Sequence, residues 1–173
     1  MIVRLLQPAD DRSAFSCGDP DYDDFLRKYA GQNQFIHRVG NTVVAVEDER
    51  VIAYATFAVG EVSVDELPDA AAHRLPRYPC PVVRLARLAV DARYQGRGIG
   101  SYLVSEVLVV GLRIRAEFGC VAVVVDAVTA RQDFYNKLGF GPMRVVQGRP
   151  RVSGTVPMFL MLSHVEAAES RPE

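Results

Sequence analysis

Residues 82–119 read VVRLARLAVDARYQGRGIGSYLVSEVLVVGLRIRAEFG, and this stretch decides the fold. Val82 to Val90 is aliphatic and β-branched, the composition of a strand. Gln95-Gly96-Arg97-Gly98-Ile99-Gly100 is a glycine-rich turn. Beyond it Ile99, Leu103, Val107, Val110 and Ile114 recur at helical spacing as one core-facing stripe, which predicts a helix to about Phe118 with Gly119 as its stop. A strand, glycines and a helix in that order bring backbone N–H groups together at a helix N-terminus. No side chain blocks an anion there, and the helix dipole adds positive potential. A pyrophosphate suits such a turn; a purely structural turn is the competing reading.

Working outward, Cys120 to Val125 (CVAVVV) is a continuous apolar run ending at Asp126, as expected of a strand covered on both faces. A short helix over Ala130 to Leu138, closed by Gly139, and a last strand over Val156 to Leu162 follow. Upstream, Asp19-Pro20-Asp21 opens a helix, with an acid at the cap and proline in the first turn. Thr42 to Glu47 and Val51 to Val59 read as an antiparallel hairpin around Glu47-Asp48-Glu49-Arg50. Four prolines, Pro68, Pro76, Pro79 and Pro81, make Leu67 to Pro81 a loop or a short helix between loops. The predicted order is helix, hairpin, loop, then β-α-β-α-β in one mixed sheet.

The chain has 173 residues, one domain's length, with 49% hydrophobic and 24% charged residues, which excludes disorder and collagen-like structure. A net charge of -1 argues against a uniformly basic nucleic-acid coat but leaves local patches open. Cys17, Cys80 and Cys120 form no CxxC pair, and His37, His73 and His164 show no ligand spacing, so neither a disulfide framework nor a metal is expected. With no signal-like or membrane-spanning run, a cytoplasmic location is expected.

Three phosphate-binding patterns compete for the turn. A P-loop fails because no lysine followed by Ser or Thr ends the glycine run. The dinucleotide fingerprint falls short because its third glycine position is Ser101 and five residues separate Val90 from Gly96. The third, Gln95-x-x-Gly98-x-Gly100, resembles the (Gln/Arg)-x-x-Gly-x-(Gly/Ala) turn of the GNAT N-acetyltransferases. Phe134-Tyr135-Asn136-Lys137-Leu138-Gly139-Phe140 matches a second motif of that family, Phe-Tyr-x-x-x-Gly-Phe. The resemblance implies an α/β (α+β) GNAT fold, one mixed, largely antiparallel central sheet flanked by helices. It also implies an acetyl-CoA cofactor. Gln95, Gly96, Arg97, Gly98, Ile99, Gly100 and Ser101 would hold the pyrophosphate, Leu88, Ala89 and Val90 would pair with the pantetheine arm, and Phe134 would line the cofactor site.

Cys17-Gly18, Asp24-Phe25-Leu26-Arg27, Tyr78-Pro79-x-Pro81, Arg87-Leu88-Ala89-Val90-Asp91 and Val125-Asp126-Ala127 carry the similarity further. They look like the GNAT toxins of type II toxin–antitoxin pairs, which acetylate the α-amino group of aminoacyl-tRNA. The resemblance spans Cys17 to Leu162. It implies a homodimer and a ribbon-helix-helix antitoxin as partners. One acetyltransferase domain is expected over residues 1–163, with a flexible tail over 164–173, since the end of the chain lacks core residues.

Acetyl transfer needs a neutral amine and a proton for the departing thiolate. On a helix over 130–138, Ala130, Phe134 and Leu138 make one buried stripe and Tyr135 stands off it, where its hydroxyl can reach the cofactor side; with the family motif, Tyr135 is the expected catalytic acid. Val82 to Val90 offers Arg84 and Arg87 but no carboxylate as a base. Deprotonating a lysine near pKa 10.4 at neutral pH costs about 4 kcal/mol, an α-amino group only about 1, so water can serve the latter. Glu61 is the fallback base. Arg93 and Arg97 suit coenzyme phosphates, whereas Arg84 and Arg87 are left over, as is a second basic group, Arg144, Arg149 and Arg151, that is expected to lack an acid; Arg84, Arg87, Arg149 and Arg151 are the candidates for tRNA phosphates. An acetyltransferase of small amines or protein N-termini, and a non-catalytic coenzyme-A-binding module, remain as alternatives.

Overall fold

The computed structural model describes residues 1–148 and 152–169. Seven strands form one sheet in the order β1-β2-β3-β4-β5-β7-β6, accompanied by helices, the expected α/β class. The strands are β1 (Ile2–Leu5), β2 (Asn41–Glu47), β3 (Arg50–Val62), β4 (Cys80–Val90), β5 (Ala122–Val128), β6 (Gly141–Pro142) and β7 (Thr155–Met161). The helices are α1 (Pro20–Asp24), α2 (Asp69–Ala72), α3 (Ile99–Glu117), α4 (Gln132–Lys137) and α5 (Leu162–Glu169). The chain packs as two compact units, Met1–Ala58 with Leu85–Val107, and Val59–Arg84 with the chain from Leu108 onward.

In the first unit, Asp19 caps α1 by accepting from the Asp21 N–H at 3.0 Å, with Pro20 in the first turn. The helix runs on as two π-helical stretches, Phe25–Tyr29 and Gln32–His37, which the spacing of apolar residues does not announce. β2 and β3 pair antiparallel with Glu47 opposite Arg50. Asp48 and Glu49 take φ of 47° and 64° in the turn, the left-handed pair whose twist matches a two-residue hairpin. β1 adds to β2 antiparallel, Ile2 opposite Val46, and was not expected from its four residues. Tyr54, fully buried, donates to the Tyr22 carbonyl at 2.9 Å and packs between Phe15 and Phe25. Gln34 joins its π-helical stretch to the sheet by donating to the Leu6 carbonyl and accepting from the Thr42 N–H, both at 2.8 Å.

In the second unit, β5 pairs antiparallel with β7, Ala122 opposite Met161, and β6 pairs with β7. Val62, Leu67, Cys80, Val82, Ala122 and Val124 form its apolar cluster. β4 begins at Cys80, so Pro81 lies in the strand rather than in the expected loop; near the start of a strand a missing N–H is tolerated. The expected flexible tail from 164 is corrected over its first part. α5 reaches Glu169 because Leu162 is fully buried against Gly111 and Glu166 pairs with Arg115 at 3.0 Å, while residues 170–173 lie outside the described residues. Among the described residues no helix is long and apolar enough to cross a membrane.

Candidate active site

The glycine turn grows out of the end of β4, where Ala89 is buried in the core and Leu88 and Val90 are half-buried. Asp91, 1% exposed, caps one tight turn over Ala92–Tyr94: it accepts from the Arg93 N–H at 3.0 Å, and its two carboxylate oxygens take Arg93 Nε and Nη2, each at 2.9 Å. The Arg93 guanidinium beside it holds the Asp91 carboxyl below the usual carboxylate range, although burial acts the other way. Gln95 Nε2 donates to the Val90 carbonyl at 2.9 Å and to the Cys17 carbonyl at 3.1 Å, so the motif's first residue braces the base of the turn.

Gly96 and Gly98 adopt φ of 76° and 79°, a left-handed backbone that favours glycine. A Cβ added at either would meet nothing within 4 Å, so the space over the turn is open. The Gly98 carbonyl accepts from the Tyr102 N–H at 3.0 Å and opens α3. The N–H groups of Ile99, Gly100 and Ser101 therefore have no acceptor within the helix. Arg97 donates from Nη2 to the Arg93 carbonyl at 3.0 Å and lies over the Tyr94 ring at 5.0 Å, which keeps its positive charge at the turn. An open left-handed cradle, unpaired helix N–H groups and a positive dipole end fit a pyrophosphate, so the turn suits coenzyme A.

Tyr135 lies on α4 in the second unit, and its burial corrects the expected stripe. It is 7% exposed, Phe134 and Leu138 are half-buried, and Ala130 is exposed. Gly139, at φ 90°, turns the chain so that the Phe140 N–H returns to the Tyr135 carbonyl at 3.1 Å. Phe134 and Phe140 then stand edge-on to the Tyr135 ring at 5.0 and 5.6 Å. The start of the helix supplies the reason: Thr129–Arg131 is a tighter 3-10 turn, which rotates the faces relative to a regular helix begun at 130.

The basic residues divide by partner. Arg84 pairs with Asp126 at 3.1 Å, and Arg144 pairs with Asp69 at 2.8 Å, so the group expected to lack an acid has one. Arg87 lies over the Phe25 ring at 4.5 Å and the Tyr22 ring at 5.4 Å. Arg149 and Arg151 lie outside the described residues. Glu61 is exposed on β3. Among the described residues, no three His, Cys, Asp or Glu side chains gather as metal ligands. Sequence reasoning quoted Cys17 and Asp91 within motifs but missed their bracing of the turn; hydrogen bonds between distant segments leave no periodic signal.

A family model described as the acetyltransferase (GNAT) domain matches residues 38–142. A tRNA-acetylating toxin of Mycobacterium tuberculosis is 33% identical over 92% of this chain and 89% of its own length. A probable toxin TacT of Sinorhizobium fredii is 26% identical, over 81% and 85% respectively. Among solved structures, AtaT complexed with acetyl-methionyl-tRNAfMet superposes with a TM-score of 0.84 at 21% identity, covering 98% of this chain and 99% of that one, a likeness of fold. A crystal structure of a bacterial toxin gives 0.84 at 25% identity, covering 99% and 98%. The family match spans the glycine turn and the Phe-Tyr motif whose geometry is described above, and with it the chain takes its place in the GNAT acetyltransferase family.

Proposed function

We propose that this acetyltransferase is a toxin that acetylates the α-amino group of aminoacyl-tRNA and so blocks translation. The observation that carries the reading is the 33% identity to a tRNA-acetylating toxin over 92% of the chain. The open turn at the start of α3 supports the donor half of the reaction, and the residue types of β4, which include no carboxylate, support an amine of low pKa. Residues 1–163 act as one catalytic domain in the cytoplasm, as a homodimer with a ribbon-helix-helix antitoxin as partner.

Coenzyme A brings the acetyl group as a thioester, already activated toward an amine. The backbone N–H groups from Gly96 to Ser101 receive its pyrophosphate, with Gln95 bracing the turn and Arg97 adding charge. The main chain of Leu88, Ala89 and Val90 directs the pantetheine arm, and Phe134 lines the site. Water takes the proton of the attacking amine. Tyr135 donates its phenolic proton, or a strong hydrogen bond, to the departing sulfur as the C–N bond forms and the C–S bond breaks; a phenol near pKa 10 serves a thiol near 8.5. Arg87, Arg149 and Arg151 meet tRNA phosphates, joined by Arg84 from its pair with Asp126.

The test compares acceptors at saturating acetyl-CoA. Aminoacyl-tRNA should be acetylated with an affinity that falls steeply with salt, through counterion release, while free amino acids and polyamines react poorly. Tyr135→Phe should keep the fold and coenzyme A affinity and lower turnover by about 10²–10⁴. Efficient acetylation of polyamines with aminoacyl-tRNA untouched would overturn the toxin reading and leave the acetyltransferase family standing.

A further inference from the structure

Two buried carboxylates, Asp23 and Asp91, grip one short segment. Ser16 donates from its N–H to Asp91 Oδ2 at 3.2 Å, and its carbonyl accepts from the Ala92 N–H at 2.9 Å. Ser16 Oγ donates to Asp23 Oδ2 at 3.0 Å, and the Cys17 N–H donates to Asp23 Oδ1 at 2.8 Å. The Cys17 carbonyl in turn accepts from Gln95 Nε2, the same nitrogen that donates to the Val90 carbonyl. A path of direct hydrogen bonds thus leads from Asp23 through Cys17 to Gln95 and the base of the glycine turn. Arg27, whose Nη2 lies 3.6 Å from Asp23 Oδ2, holds the other side by donating to the Phe15 carbonyl at 2.6 Å. Burial would raise the Asp23 carboxyl, but the Cys17 and Ser16 hydrogen bonds and the Arg27 charge outweigh it and keep it ionised at neutral pH.

We infer that Asp23, 68 residues from the nearest turn-side carboxylate Asp91 in sequence, is a positioning residue for the acyl donor: it fixes the Cys17 carbonyl, which fixes the Gln95 amide, which fixes the turn. The inference rests on the reading that this turn holds coenzyme A. N–H groups that must converge on a pyrophosphate bind it best when they converge beforehand, because any ordering left to the moment of binding is subtracted from affinity. Asp23 makes no hydrogen bond to Gln95 itself, so the two act in series through Cys17. Residues acting in series give effects that do not multiply.

The test is a double-mutant cycle on coenzyme A affinity, measured by calorimetry with Asp23→Ala, Gln95→Leu and the double variant. Each single change should weaken binding about tenfold, the worth of about one hydrogen bond to a charged or buried partner, and the double should also stay near tenfold. Asp23→Asn, which keeps an acceptor oxygen for Cys17, should fall between Asp23→Ala and the wild type. The KM for acetyl-CoA should rise with kcat nearly unchanged, and amide exchange of residues 95–100 in the free protein should quicken. If Asp23→Ala does not fold, Asp23→Asn and Ser16→Ala carry the same cycle with Gln95→Leu at smaller amplitude. Wild-type affinity in the folded Asp23 variants, or a double variant weakened about a hundredfold, would overturn the inference while the turn's role stands. A folded wild-type protein that does not bind coenzyme A would overturn the reading of the turn, and the inference with it.

Discussion

Gly98 opens α3 and Gly111 lies inside it, yet the two glycines answer different demands. Gly98 has a left-handed φ and no atom within 4 Å of where a Cβ would sit. Gly111 has ordinary helical geometry, and a Cβ there would meet Leu162 at 3.2 and 3.3 Å and Val123 at 3.3 Å. The first is glycine for the sake of what arrives from solution; the second is glycine because α5 and β5 already fill the space. The regions around them differ in the same sense. Near the turn, the buried carboxylates Asp23 and Asp91 hold loops by hydrogen bonds to backbone N–H groups. Around Gly111 the neighbours are the aliphatic side chains of Leu162 and Val123, and elsewhere in the second unit the ion pairs Arg84–Asp126, Arg115–Glu166 and Arg144–Asp69 stand toward solvent. One region is organised to present polar groups, the other to exclude water.

The sharpest way to break this contrast is to exchange the demands. Gly98→Asp places a carboxylate where the anion is received, and coenzyme A affinity should fall about a hundredfold or more, since charge-assisted hydrogen bonds are worth about 1.5–3 kcal/mol each. Its thermal midpoint should fall by only a few degrees: a side chain at φ 79° carries strain, but Asp tolerates a left-handed backbone better than most residues and no atom lies in its way. Gly111→Leu should do the reverse. Overpacking against Leu162 and Val123 should destabilise the fold by about 1–3 kcal/mol and lower the midpoint by several degrees, while the folded fraction binds coenzyme A as before. Calorimetry and thermal melts on both variants decide the matter; a Gly111→Leu protein that is stable but blind to coenzyme A would erase the distinction.

The same contrast explains how far the sequence could be read. The turn was legible because its chemistry is local: Gln95, Gly98 and Gly100 sit at fixed spacing between a strand and a helix. The hairpin and β5 were legible because period and composition alone announce them. The Phe-Tyr motif singles out Tyr135 but not its burial, because a regular helix from Ala130 would turn it off the buried stripe, whereas the chain begins with a tighter turn. β1 and β6, of four and two residues, carry too few side chains to show a period. Asp126, Asp69 and Cys17, which partner Arg84, Arg144 and Gln95, stand 42, 75 and 78 residues away in sequence, and no local pattern encodes such pairings.

Acid should sharpen the comparison at intermediate amplitude. Asp10, hydrogen-bonded by Arg4, and Asp91, by Arg93, are held below the usual carboxylate range; Asp23 is too, its burial outweighed by Cys17, Ser16 and Arg27. A carboxyl lowered in the folded state contributes stability above its unfolded pKa, about 3.9, and loses that contribution as pH falls through the lower folded value. Stability should therefore be level from neutral pH down to about 5 and decline below about 4. Amide exchange corrected for intrinsic rates should show residues 15–27 and 91–98 losing protection before β5 and β7. Simultaneous loss in both regions would show that the carboxylates are not what holds the turn.

The smallest expected effect belongs to the Arg84–Asp126 pair, and it tests the other side of the contrast. Its side chains are 40% and 38% exposed at a separation of 3.1 Å. Water screens both charges, and ordering two long side chains offsets most of the attraction, so such a pair is worth about 0–1 kcal/mol. Asp126→Asn should leave the thermal midpoint within about 2–4 °C of the wild type, and 0.5 M salt should narrow the gap further. The substitution also releases the Arg84 guanidinium from its carboxylate. If Arg84 meets tRNA phosphates, Asp126→Asn should tighten aminoacyl-tRNA binding at low salt and steepen its salt dependence, because a cation freed from an internal partner displaces another counterion. A loss of several kcal/mol in stability would show that the second unit also depends on charge. An unchanged salt slope with unchanged stability would assign Arg84 to its pairing with Asp126 alone and remove it from the tRNA surface.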